Sequence, residues 1–224
     1  MISKIIIQIV IFVALGLLLF VAAGTLQWPA AWVLIAEMGV GAIALGLWLG
    51  RHDPSLLAER LSVHFQSTQP LWDKALVAAF MVCSIGWFVL MAFDAVRFRW
   101  SQVPIWLQVV GALLILLNAC FAYLTFRENT YAAMVVKIQT ERGHRVVSTG
   151  PYAYVRHPMY AGVLFFYIGA PLLLGSWYGL AAAIVSLSIL AVRAVLEERK
   201  LMVELAGYRE YAERVRYRLI PGIW

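Results

Sequence analysis

Charge is what this sequence has least of. Asp, Glu, Lys and Arg make up only 13% of its 224 residues, and hydrophobic residues make up 63%. That balance is far from the composition of soluble domains. Cysteine is scarcer still: Cys83 and Cys120 both fall inside apolar runs, so no disulfide framework is indicated. With His52, His64, His144 and His157 they form no local spacing of the kind that zinc requires. No Gly-x-Ser-x-Gly elbow and no Walker-type loop is present, which sets aside ATP use as well as metal catalysis. "GVGAIALG" in the second apolar run lacks a preceding strand and the full glycine spacing of a dinucleotide site. Ala42, Gly46 and Gly50 recur every four positions there and read better as a close helix-packing stripe.

Long apolar runs, by contrast, are abundant. Windows at 5–24, 30–50, 74–93 and 104–123 are each long enough to cross hydrocarbon. The first exceeds a signal-peptide core and lacks a clean cleavage site, so it is read as a retained span. A further pair is expected within 159–196, turned by "GAPLLLGSWYG". Each arm is short for a core of roughly 30 Å, leaving either two helices around a very tight turn or one re-entrant element. The reading is therefore all-α, multi-pass and integral to the membrane, with about six transmembrane segments. Residues 1–224 form one membrane domain, made of a four-span region, 1–123, and a region 124–224 that holds a cytoplasmic pocket.

Charge sets the expected orientation. With the N-terminus inside, 16 of the 18 Lys and Arg residues face the cytoplasm, and only Arg97 and Arg99 face out. This asymmetry accounts for the net charge of +6 better than nucleic-acid binding does. Both termini are expected to be cytoplasmic. The polar material (51–73, 124–157 and the tail) then gathers on one face, where a shared site would lie.

Within that material, "TGPYAYVRHPMYAG" places Arg156 and His157 directly before Pro158, which fits the first turn of a helix. One reading is an interface anchor, with a snorkelling Arg and a belt of Tyr152, Tyr154 and Tyr160. Against it, a cation beside a helix N-terminus is unfavourable unless an anion also sits there. That anion belongs to a ligand or to Glu197 or Glu198, which follow the last apolar run. Either these acids form a solvated helix end paired with Arg193 and Lys200, or one of them turns into a cavity. Neighbouring helix residues point roughly 100° apart, so one would bind and the other brace.

"VRAVLEERKLMVELAG" is helical in pattern and Gly207 is a plausible stop. Beyond it a short amphipathic piece carries Tyr208, Tyr211, Arg214, Arg216 and Arg218 on a face suited to anionic headgroups. "RHDPSLLAERL" reads as a short interfacial helix with Pro54 in its first turn. Glu37 and Asn118 lie inside spans, where such groups normally face protein or water. A transporter or structural protein with a path lined by these two is the competing class.

"ENTYAAMVVKIQTERGHRVVSTGPYAYVRHPMYAG", followed by "RAVLEERKLMVELAGYREYAERVRYRLIP", resembles the isoprenylcysteine carboxyl methyltransferase family, a relative of the phospholipid N-methyltransferases. The likeness covers Glu128 to Pro221, with a looser one in "RHDPSLLAERL" and the Trp72–Asp73 pair. It implies an integral membrane enzyme that uses S-adenosyl-L-methionine and takes a lipophilic acceptor from the bilayer, without metal or nucleic acid. By that resemblance His144, Val147, Gly150, Tyr152, His157, Tyr160 and Glu198 belong to the cofactor site. Arg156, Arg193 and Glu197 are the catalytic candidates at the substrate end. The expected acceptor is the carboxylate of an isoprenoid or prenylcysteine-like compound, in a bacterial inner membrane. A carboxylate needs no strong base, and an Arg can orient it bidentately. A lipid amine acceptor would instead favour a glutamate, and the chain has both residue types.

Overall fold

Helix forms wherever the sequence has a long apolar run. The structure, a computed structural model, describes residues 2–62, 66 and 69–224; His64 lies outside the described residues. In order come α1 (Ile2–Ala23), α2 (Pro29–His52), α3 (Pro54–Arg60), α4 (Leu71–Ala92), α5 (Ile105–Glu128), α6 (Pro158–Leu174), α7 (Trp177–Glu204) and α8 (Tyr208–Arg214). A π-helical turn, Phe93–Arg97, prolongs α4. No strand occurs among the described residues. Pro29–His52, Leu71–Arg97, Ile105–Glu128 and Trp177–Glu204 are long and apolar enough to cross a membrane, and Val10–Ala23 and Pro158–Leu174 are shorter apolar helices. The chain is a multi-pass integral membrane protein.

The pair expected within 159–196 is two helices around a tight turn at Gly175 and Ser176. At 1.5 Å per residue, the 17 residues of α6 reach about 25 Å and the 28 residues of α7 about 42 Å. The apolar window understated α7 because its last turns are charged, yet they remain helical up to Glu204. Local chemistry starts the short helices as the sequence implied. The Asp53 carboxylate caps α3 by accepting from Leu56 N at 2.9 Å, with Pro54 in the first turn. Gly207, at φ +80°, separates α7 from α8.

By contact density the chain divides into two compact units, each drawn from several parts of the sequence. The first comprises Met1–Leu45, Met81–Leu117 and Phe165–Leu187. Here a Cβ on Gly111 would overlap the backbone of α6 at Gly169 and Leu173, so α5 and α6 meet closely. The buried Asp94 accepts from Ser101 Oγ at 2.7 Å, Ser176 Oγ at 2.5 Å and Tyr178 N at 3.2 Å. This ties the π-helical turn to the start of α7, where an acid is favoured by the helix N-terminus. Glu37 is partly buried in α2, and its Oε2 has no hydrogen-bond partner among the described residues.

The second unit comprises Gly46–Phe80, Asn118–Leu164 and Ser188–Trp224. Gly46, read as part of a packing stripe, has no neighbour within 4 Å of an added Cβ among the described residues, so none of the described helices closes on it. Tyr208 and Tyr211 are buried, 5% and 1% exposed, and pack with Leu205. They are therefore core residues of α8, and the expected headgroup face with its two tyrosines does not form.

Candidate active site

Residues 129–157 carry only two 3-10 turns, Thr140–Arg142 and Gly150–Ala153, so side chains must hold the segment in place. Asn129 does so from the end of α5, donating to Tyr152 Oη at 2.8 Å and accepting from Tyr131 N at 2.8 Å. The fully buried Gln139 donates to Tyr131 O at 2.8 Å and accepts from Arg142. Arg142 also reaches Thr130 Oγ1 at 2.8 Å and Ser55 Oγ at 2.7 Å, which joins the segment to α3. His144 stacks on Tyr131 with ring centroids 4.5 Å apart, and its Nδ1 accepts from Gln139 N at 3.3 Å. That bond leaves the proton of the neutral ring on Nε2. Burial, then the Arg142 cation, pushes the His144 pKa down, so the ring is neutral at pH 7. Burial likewise pushes the Tyr152 phenol well above its usual range.

The anion that the Arg156-His157-Pro158 corner demands is Glu198. Arg156 donates to Glu198 through Nε (2.6 Å) and Nη2 (3.3 Å), Arg218 through Nε (2.8 Å), and His157 Nε2 lies 3.1 Å from Oε1. Glu198 is 1% exposed. The remaining arm of Arg156 donates to Val215 O at 2.6 Å and Arg216 O at 2.9 Å, just past α8. The backbone follows the same path: Arg156 N bonds Tyr217 O at 3.0 Å and His157 N bonds Arg218 O at 2.9 Å. A fork of five donors suits this corner, and a snorkelling anchor would not use it so fully.

Arg193 is neutralised from an unexpected side. Its Nε donates to Asp73 Oδ1 at 2.7 Å and its Nη2 to Met134 O at 2.8 Å. Asp73 has no exposed surface and also accepts from Gln69 Nε2 at 2.7 Å and Val136 N at 3.0 Å. Arg193 and Glu197 stand four residues apart, as do Lys200 and Glu204, the spacing at which opposite charges on a helix can pair; of these two, only Lys200 and Glu204 do so, at 2.7 Å. Glu197 instead accepts from Tyr160 Oη at 2.7 Å on Oε2, and its Oε1 has no hydrogen bond among the described residues. Tyr160 stacks on His157 at 5.3 Å.

These groups border one cleft. About 820 Å3 of space lies between its walls when the open mouth is counted, and about 100 Å3 of it admits water-sized contents. Ligand sites usually offer about 300–1,000 Å3, so the walls must part to admit an organic ligand. His144, Val147, Tyr152, Arg156, His157, Tyr160, Arg193 and Glu197 line the cleft, whereas Gly150 and Glu198 do not. Gly150, at φ +57°, packs against the Glu128 side chain and shapes the turn that carries Tyr152. The adjacent glutamates divide as neighbouring helix positions must: Glu198 braces the corner and Glu197 faces the cleft.

Sequence reading missed three residues here. Asp73 was visible only as half of the Trp72–Asp73 pair, with nothing local to name its partner. Tyr208 lines the cleft although its pattern read as surface. Arg60, partly buried, donates to Ala132 O at 2.9 Å and lies 3.6 Å from Met159 Sδ, both in residues of the cleft wall. Its guanidinium carbon stands 4.1 Å from the Phe126 ring centroid, and no carboxylate pairs with it among the described residues. Burial pushes its pKa down to about 10, which keeps it cationic at neutral pH.

Fold and site together define a membrane-embedded helical protein with a polar cleft walled by the 129–160 segment and the charged end of its last long helix. Residues 106–209, just under half of the chain, match the phospholipid methyltransferase family. That family includes the isoprenylcysteine carboxyl methyltransferases. Of the residues that line the cleft, all but Tyr211 fall within the matched segment. The cleft is thus built by the region of the chain that matches that family. No curated protein matches the chain significantly.

Proposed function

We propose that the protein is an S-adenosyl-L-methionine-dependent methyltransferase whose acceptor is the carboxylate of an isoprenoid or prenylcysteine-like compound. The observation that carries this reading is the coincidence of the cleft with the family-matched segment. Both termini are proposed to be cytoplasmic and the membrane to be a bacterial inner membrane, the orientation following from the 16-to-2 split of Lys and Arg.

The residues present fit such a donor. When bound, it supplies a methyl group on a sulfonium: the new bond forms from the acceptor oxygen to carbon as the carbon–sulfur bond breaks and its electron pair stays on sulfur. The open oxygen of Glu197 places negative charge in the cleft, which favours a cationic ligand there. Arg193 and Arg156 are each bonded to another carboxylate, Asp73 and Glu198, and Arg193 also lies near enough to Glu197 for the two charges to attract. Neutral His144 offers an Nε2–H donor without adding a positive charge. A carboxylate acceptor arrives ionised, so the protein need only align it and exclude water. Arg60, a cation without an acid partner among the described residues and beside Ala132 and Met159, supports an anionic acceptor.

An amine acceptor is the second reading, favoured by the same open oxygen of Glu197, which could receive a proton from the reacting nitrogen. The test is S-adenosylhomocysteine titration in detergent, followed by a screen of prenyl-thio acids, fatty acids and lipid amines with radiolabelled donor. Binding together with label on an acid supports the proposal. Label on amines alone moves it to the second reading, and absence of S-adenosylhomocysteine binding overturns both.

A further inference from the structure

Two tyrosines on α8 sit one turn apart and are treated differently. Tyr211 donates to Tyr152 O at 2.8 Å. The Tyr208 hydroxyl is buried and has no hydrogen-bond partner among the described residues. Its ring lies 5.6 Å from that of Tyr211 and packs in the cluster that includes Leu205 and Val146. A phenylalanine would serve that packing equally well, and a buried hydroxyl without a partner opposes folding. Burial, then the Glu198 and Glu197 carboxylates, pushes the Tyr208 phenol well above its usual range, so it keeps its proton. Tyr208 is also part of the cleft wall, with His144, Val147, Tyr152 and Glu197.

We infer that Tyr208 is a ligand-binding residue whose hydroxyl donates a hydrogen bond to a polar atom of the methyl donor when the cleft is filled. The inference rests on the methyltransferase reading. It assigns the hydroxyl to the donor because a lipophilic acceptor is polar only at its reacting head. A nucleoside-linked amino acid carries acceptor atoms along its whole length. Tyr208 also packs with the Val146 stretch of the wall, whereas the Arg60 cation stands against Phe126 and Met159.

The test is Tyr208→Phe, which removes the hydroxyl and nothing else. Thermal unfolding in detergent and calorimetric titration with S-adenosylhomocysteine are measured on the parent, on this variant and on Tyr211→Phe. The expected result for Tyr208→Phe is an unfolding midpoint without ligand equal to or above the parent's, with a dissociation constant raised roughly five- to tenfold. Tyr211→Phe should lower the midpoint, since it leaves Tyr152 O unpaired, and so shows what a structural hydroxyl does. Parental affinity in Tyr208→Phe overturns the inference and leaves the methyltransferase reading standing. A midpoint lowered as in Tyr211→Phe overturns it too, by giving the hydroxyl an internal role. If the parent itself does not bind S-adenosylhomocysteine, the methyltransferase reading falls and takes the inference with it.

Discussion

Replacing Arg156 by lysine keeps the charge and removes the fork, and the structure says how much that should cost. Arg156 spends Nε and Nη2 on the two oxygens of Glu198 and Nη1 on the carbonyls of Val215 and Arg216. An ammonium is a point donor and cannot reach both sets. The substituted side chain would keep either the carboxylate or the carbonyls, leaving two buried acceptors unmet at about 1–3 kcal/mol each. Arg218 and His157 still hold Glu198, so the loss is confined to those two acceptors, about 2–6 kcal/mol in total. For a chain of this length, a loss of about 2 kcal/mol already lowers the unfolding midpoint by about 4 °C. Because the same corner holds the backbone at Tyr217 and Arg218, the tail should also be cut faster in limited proteolysis. The assay is thermal unfolding in detergent alongside timed proteolysis of the tail. Parental midpoint and parental cleavage rate in Arg156→Lys would refute the reasoning, since an anchor at the interface tolerates lysine.

Three further outcomes are expected. Asp73→Ala strands the Arg193 guanidinium and should cost about 3–5 kcal/mol, whereas Asp73→Ala with Arg193→Met should recover part of that loss; strictly additive costs in the double-mutant cycle would show that the two do not interact. His144 has a folded pKa below its usual 6.5, so the unfolded chain takes up the proton first and stability falls as pH drops through and below 6.5. The stability advantage of the parent over His144→Gln should then shrink between about pH 7.5 and 5.5, and an advantage that grows on acidification would mean the ring is charged when folded. Single cysteines placed at positions 2 and 222 of a Cys83→Ser, Cys120→Ser background should label from the same side of sealed vesicles, and labelling from opposite sides contradicts the proposed orientation.

What the sequence disclosed, and what it withheld, follows from the range of the interaction concerned. Apolar runs and local punctuation are short-range signals. They marked the long helices, the Pro54 and Pro158 starts, and the break at Gly207. Charge inside a helix was harder: the apolar window for α7 stopped at 196 although the helix continues to Glu204. The Arg156 corner was half legible, because a cation at a helix start demands an anion, and the anion is one of the two glutamates that stood out. Which glutamate, and that it would serve Arg218 as well, depends on a tail returning to the motif from some sixty residues away. Asp73 and Arg193 are 120 residues apart, and the local i,i+4 rule pointed to the wrong partner because it knows nothing of a buried competitor. Tyr208 and Tyr211 read as an interfacial face because their helix is short, with arginines around it. The packing of Leu205, Ile138 and Val146 decided otherwise.

The shared use of Glu198 also sets an order of events during synthesis. Arg156 and His157 leave the ribosome well before Glu198, and the carbonyls at 212–218 that complete their bonding are later still. Until then the 144–157 wall has a cationic corner with neither its counter-ion nor its backbone partners. The cleft therefore cannot be finished as the chain emerges, and its assembly waits on the arrival of α8 and the segment that follows it.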